Sequence, residues 1–118
     1  MQKLRITNSK GVLLADRAGI ADTSAERRTG LLKHSKLEPG DGLWIAPTEG
    51  VHTFGMKFPI DVVFLSKSKK VLKIRPNMVR SRIALSLRAY SVLELPAGTL
   101  ESTGTVVGDQ LAFEKYQD

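Results

Sequence analysis

His52-Thr53-Phe54-Gly55-Met56-Lys57-Phe58-Pro59-Ile60-Asp61-Val62-Val63-Phe64-Leu65 decides how this chain is read. Its second half, Ile60 to Leu65, is rich in β-branched and aromatic residues and apolar at both parities. That pattern describes a strand covered on both faces, hence a central one. Pro59 cannot donate to a sheet ladder and suits the entry of such a strand. The first half is a bend punctuated by glycine and proline. Asp61 interrupts the apolar run, and a buried unpaired charge is costly, so it needs partners. Two readings are open. Either Asp61 accepts hydrogen bonds from the Gly55–Phe58 loop or pairs with Lys57, or it is a ligand-binding or catalytic carboxylate at the strand entrance.

Downstream, Ser66-Lys67-Ser68-Lys69-Lys70 turns the strand into Val71–Ile74 as a hairpin, and Arg75-Pro76-Asn77-Met78 breaks it. Val79 to Ala89 is basic, with Ile83, Leu85 and Leu87 alternating as in an edge strand or a mobile loop. Tyr90 to Leu95 is a strand ended by Pro96-Ala97-Gly98; Thr99 to Gly104 suits one short helical turn, and Leu111-Ala112-Phe113 a last strand. Upstream, Lys3–Ile6 and Val12–Ala15 flank an Asn/Ser/Gly turn, and Asp16–Asp22 connects them to Thr23-Ser24-Ala25-Glu26, which has capping-box spacing. A helix over 24–34 is predicted, weakened by Gly30. Leu43–Ala46 is a short strand carrying the one Trp, and Val51–Phe54 is expected to return antiparallel to it. The expected fold is mainly β (α+β), a compact antiparallel β-barrel or sandwich of about seven to eight short strands with one short helix near residues 24–34.

The 118 residues, 42% hydrophobic and 25% charged, suit one soluble domain over 1–118. Cysteine is absent, which excludes disulfides and thiolate metal sites. The N-terminus enters a strand pattern without an apolar leader region, so a soluble cytoplasmic protein is expected. Net charge is +6, and eight of the eighteen basic residues but none of the twelve acidic ones fall between Lys67 and Arg88. Such a cluster suits either a solvated face or contact with an anionic partner.

Several landmarks occur in order: Arg28-Thr29-Gly30-Leu31-Leu32, Gly42-Leu43-Trp44-Ile45, His52 to Lys57, Pro59 to Leu65, Val92-Leu93-Glu94-Leu95-Pro96-Ala97-Gly98 and Gly108-Asp109. This order resembles the family of small prokaryotic proteins known as domain of unknown function 192. Met-Lys followed by Pro-Ile-Asp, together with Leu-Glu-Leu-Pro-Ala-Gly, carries the resemblance, which covers about residues 28 to 113. Leu32 stands where the family often has Met, and Leu43-Trp44-Ile45 where Met-Leu-Phe is common; both exchanges stay apolar. The resemblance implies one compact β-rich domain and brings no established activity. Many relatives look exported, unlike the expectation for this chain.

No Ser-His-Asp pattern, nucleophile elbow, P-loop or dinucleotide fingerprint is present. His34 is the only other histidine, so a zinc site at His52 would need carboxylates, and no metal or cofactor is expected. Phe54, Met56, Phe58 and Trp44 read either as core or as an apolar platform beside Lys57 and Asp61. Glu94 lies between Leu93 and Leu95, which turns it to the opposite face of its strand, an exposed position by pattern. The expected function is a non-enzymatic binding or accessory module for a small polar ligand or a protein partner, using His52, Phe54, Met56, Lys57, Asp61 and Glu94. Two other readings are weighed. One is weak polyanion or nucleic-acid contact through Lys67, Lys69, Lys70, Lys73, Arg75, Arg80 and Arg82. The other is a hydrolase pairing Asp61 with Glu94, which requires both carboxylates in one concavity at a defined separation.

Overall fold

Ile60–Leu65 forms a strand with every residue buried, as its two-sided apolar pattern requires. The computed structural model describes residues 1–118. In chain order the elements are β1 (Gln2–Thr7), β2 (Leu13–Ala21), α1 (Ser24–Thr29), β3 (Asp41–Ile45), β4 (Gly50–His52), β5 (Ile60–Leu65), β6 (Val71–Met78), β7 (Ile83–Leu85), β8 (Ser91–Pro96), α2 (Thr99–Thr103) and β9 (Ala112–Gln117). Seven strands make one sheet in the order β6-β5-β8-β3-β2-β1-β9, while β4 and β7 form a separate ribbon. The sheet curls until its two edges touch at a single bridge, Lys70 to Gln110. There the Val71 amide donates to the Asp109 carbonyl at 2.8 Å and the Leu111 amide to that of Lys69 at 2.9 Å. One bridge is not a ladder, so the domain is sandwich-like rather than a closed barrel.

The structure corrects the expected elements in four places. β2 runs on through Asp16 to Ala21 instead of stopping at Ala15, and it pairs with β3 in parallel. A parallel pair needs a crossover, and residues 22–40 supply it, with α1 at its start. The capping box is present, with the Thr23 hydroxyl accepting from the Glu26 amide and Glu26 accepting from the Thr23 amide. The helix nonetheless ends at Thr29 because Gly30 turns left-handed at φ 49°. β3 pairs with β2 and β8, and β4 pairs with β7 instead of β3. Pro76 does not end β6, which continues to Met78 across a bulge; as an edge strand it tolerates a missing donor.

Alternation along β5 and β8 divides the core in two. Val63, Leu65, Leu93 and Leu95 face into the curl with Leu4, Ile6, Leu14 and Leu111. Ile60, Val62, Phe64 and Val92 face the other way, under Leu31 of the crossover, Met56 and Ala84 of the ribbon. Thr53 fastens that ribbon: its buried hydroxyl donates to the Val79 carbonyl at 2.6 Å and accepts from the Arg82 amide at 2.8 Å.

Asp61 is wholly inaccessible to solvent. Its Oδ1 accepts from the Asn77 amide and its Oδ2 from the Leu100 amide, each at 2.8 Å. Asn77, at φ 48°, lies in the β6 bulge. Leu100 lies in the first turn of α2, whose own N-cap residue, Gly98, offers no side chain. One carboxylate therefore holds the bulge and caps a helix that cannot cap itself. The partners are backbone amides, as one reading of the sequence has it, but not those of the Gly55–Phe58 loop. Hydrogen bonds to a buried charged group contribute about 1.5–3 kcal/mol each, so Asp61→Ala should cost roughly 3 kcal/mol or more and Asp61→Asn somewhat less. Urea unfolding with an unchanged m-value measures both; a midpoint equal to that of the parent would refute the assignment.

Candidate functional site

The register of β8 decides where its carboxylate goes. Glu94 is opposite Val62 on β5 and Leu43 on β3, and residues directly opposite share a face. Glu94 therefore points out of the curl, towards the crossover and the ribbon. Both faces of β8 are covered, so the exposed position suggested by alternation is instead only 4% accessible. Above it lies a cleft of about 130 Å³. One wall is Arg27, Arg28 and Leu31 at the end of α1 and the turn after it; the other is Thr48, Gly50 and His52, and Met56 helps to close it.

Glu94 Oε1 is sealed from solvent and has no hydrogen-bond partner. Such orphaned acceptors are rare in folded proteins and call for an explanation. Burial without compensating donors disfavours the charged form and pushes the carboxyl up to about 7. Near neutral pH the group thus divides between a neutral acid, which can donate and accept, and a carboxylate, which only accepts. At the rim, Arg27 is held by the Asp22 carbonyl and the Ser24 hydroxyl. Arg28 is exposed and makes no ion pair or hydrogen bond within the chain, leaving its guanidinium free for an anionic group.

Of the six residues singled out in the sequence for ligand binding, His52, Met56 and Glu94 converge on this cleft. Phe54 stands just outside, its ring 5.5 Å from that of His52. Lys57 borders a separate shallow depression with Phe58, Pro59 and Arg80. Asp61 is on the opposite face of the sheet, since it is opposite Leu95 while its neighbour Val62 is opposite Glu94. The two carboxylates share no concavity, which removes the hydrolase pairing. Arg27, Arg28 and Thr48 were not among the expected residues. Arg27 and Arg28, close before the glycine that ends α1, were the available signal, because a glycine at positive φ stops the helix there.

The basic segment is also dispersed. Lys67 Nζ is 5.5 Å from the centre of the Tyr90 ring, Lys69 lies between Trp44 and Phe113 at 5.2 and 5.1 Å, and Lys73 lies over Phe64 at 5.6 Å. Lys70, Arg80 and Arg82 are exposed and Arg75 is half-buried. No helix is long and apolar enough to cross a membrane.

A curled, sandwich-like β domain with one orphaned acid beneath a crossover is the class of protein these observations define. The model of domain of unknown function 192, described as "Uncharacterized ACR", matches residues 5–113, and the chain belongs to that family. A UPF0127 protein of Thermococcus sibiricus is 28% identical over 121 residues, covering 96% of this chain and 76% of its own. A protein of unknown function from Novosphingobium aromaticivorans superposes with a TM-score of 0.80 at 23% identity, over 92% of this chain and 82% of the other. A candidate transcription regulator of Sinorhizobium meliloti gives a TM-score of 0.85 at 23% identity, over 96% and 94%. These two structures show the same fold.

The raised Glu94 carboxyl has a pH signature. Between its ordinary value of 4.5 and about 7 the folded state holds a proton that the unfolded state has released. Stability conferred by that proton is present below the unfolded value and is lost as pH rises towards the folded one. The wild type should therefore lose about 3 kcal/mol between pH 4.5 and 7 through this group and level off above. Glu94→Gln should flatten that slope and be the more stable protein at pH 8. Denaturant midpoints of the two proteins across this range measure the effect; parallel curves would refute it.

Proposed function

We propose that this protein is a binding module whose ligand sits over Glu94, in the cleft between α1 and the β4–β7 ribbon. The observation that carries this reading is the buried Glu94 carboxyl, which lines the cleft floor without any hydrogen bond within the chain and would gain one from a ligand hydroxyl or amine. A buried acid at the floor and a free guanidinium at the mouth suit a molecule with a hydrogen-bonding end and an anionic end. At about 130 Å³ the space falls below the usual range for drug-sized ligands. A hydroxylated acid of monosaccharide size or smaller fits these demands. In this reading Glu94 reads a hydroxyl, Arg28 holds the anionic group, and His52 and Met56 close the side.

Polyanion contact through residues 67–82 is the weaker reading. The candidate regulator from Sinorhizobium meliloti gives it some support. Against it, three of its seven cations are occupied by rings of the protein itself, and the segment lacks aromatic side chains for base stacking.

Amide-resolved NMR titration with a panel of small sugar acids and uncharged sugars tests the proposal. Shifts should cluster at Arg27–Leu32, Thr48–His52 and Glu94, with acids preferred to their uncharged counterparts. Arg28→Ala and Glu94→Gln should each weaken binding about tenfold or more, as loss of a hydrogen bond to a charged or buried group does. No saturable shift in the cleft across the panel would refute the reading.

A further inference from the structure

Antiparallel partners share a face, so Val51 and Ala84 of the ribbon look inward, where both pack with the second core. Ile83 and Leu85 look outward, with His52 and Gly50. This outward face has no partner within the domain. Ile83, Leu85 and Leu87 are 59%, 54% and 80% exposed, and Phe54 and Val79 beside them 47% and 43%. Single exposed apolar residues are ordinary, but five on one ribbon and its flanking turns form a patch. The ribbon is shaped to present it. The Leu85 side chain lies across Gly50 where a Cβ would stand, so a larger residue at 50 would displace it.

The surroundings of the patch are basic. No acidic residue occurs between Asp61 and Glu94. Lys73 and Arg75 stand opposite Phe64 and Val62, which puts them on the face of the sheet that the ribbon covers. Lys73 Nζ reaches the ribbon edge and donates to the Leu85 carbonyl at 2.7 Å. Arg80 and Arg82 precede β7 and Arg88 follows it, all three exposed. Glu49, in the turn before β4, is the one exposed acidic residue beside the patch, its carbonyl accepting from the amide of Ser86 between Leu85 and Leu87.

We propose that this outward face docks on an anionic lipid surface, with its aliphatic tips entering the headgroup region and its surrounding cations meeting lipid phosphates. A lipid surface asks for apolar area and positive charge together, without a shape-matched pocket. Strand addition by another polypeptide fits less well, because Lys73 already occupies the β7 edge. Nucleic acid would use the cations but leave five apolar side chains in water. The surface is separate from the Glu94 cleft, although Gly50 and His52 border both.

Vesicle co-sedimentation tests this with the full chain. Vesicles of phosphatidylcholine alone are compared with vesicles containing about one-third phosphatidylserine, an anionic surface that attracts basic segments. Binding should require the anionic lipid and weaken with salt. Ile83→Ser combined with Leu87→Ser should reduce partitioning about tenfold or more, the scale expected for two lost aliphatic side chains. The unfolding midpoint should hardly move, because both residues are exposed. Arg80→Gln combined with Arg82→Gln should reduce binding through the salt-dependent part alone. Equal binding to neutral and anionic vesicles, or none to either, overturns the proposal. So does a serine variant that binds like the parent; the cations would then form a plain polyanion surface, and equal retention of both proteins on duplex DNA would identify it.

Discussion

The pairing of β5 with β8 is the constraint on which the rest of the molecule depends. It aligns Asp61 with Leu95 and Val62 with Glu94, so two carboxylates one register step apart leave the sheet on opposite faces. On one face two backbone amides await a charge, and Asp61 supplies it. On the other no donor is within reach, and Glu94 keeps an empty acceptor. The chemistry of the side chains is the same; the parity of the strand assigns one to architecture and the other to a cleft. A slip of one residue would exchange these roles and turn both apolar sets to the wrong face.

How much of this was legible in the sequence follows from the range of the interactions involved. Ile60–Leu65, the hairpin into Val71, the capping box at Thr23 and the strand through Glu94 rest on local pattern, and all are present. The partners of β3 and β4 rest on contacts between distant segments, and there a turn-rich stretch suggested a hairpin that does not form. Pro76 looked like a strand end because the sequence does not reveal that β6 is an edge. Glu94 looked exposed because alternation gives a face but not what covers it. The cover comes from Arg27–Leu32, more than sixty residues earlier in the chain. Asp61 was recognisable as a residue needing donors, yet neither of its donors is sequence-local.

The ribbon couples the two surfaces described for this protein. β4 lends Gly50 and His52 to the cleft wall and Val51 to the core beneath, while β7 carries the exposed aliphatic row. Thr53 locks the joint between them through three backbone groups, accepting from Arg82 and donating to Val79 with its hydroxyl while its own amide donates to Arg82. A force applied to the outer face therefore meets a braced element, and any displacement of it would reach the side wall of the cleft. Every group that Thr53 meets at 79 and 82 belongs to the backbone, so the brace does not depend on the side chains there.

The parallel pairing of β2 with β3 has a consequence for how such a domain can diverge. It obliges the chain to travel back along the sheet between Ala21 and Asp41, and that return path lies over Glu94. Floor and wall of the cleft are thus under different restrictions. The floor is bound by strand pairing on both sides, whereas the wall must only span a fixed distance. Lengthening a spanning segment costs little, since loop-closure entropy grows with the logarithm of its length. Descendants of this chain could therefore reshape what enters the cleft by rewriting the span alone, leaving every strand and the buried acid where they are.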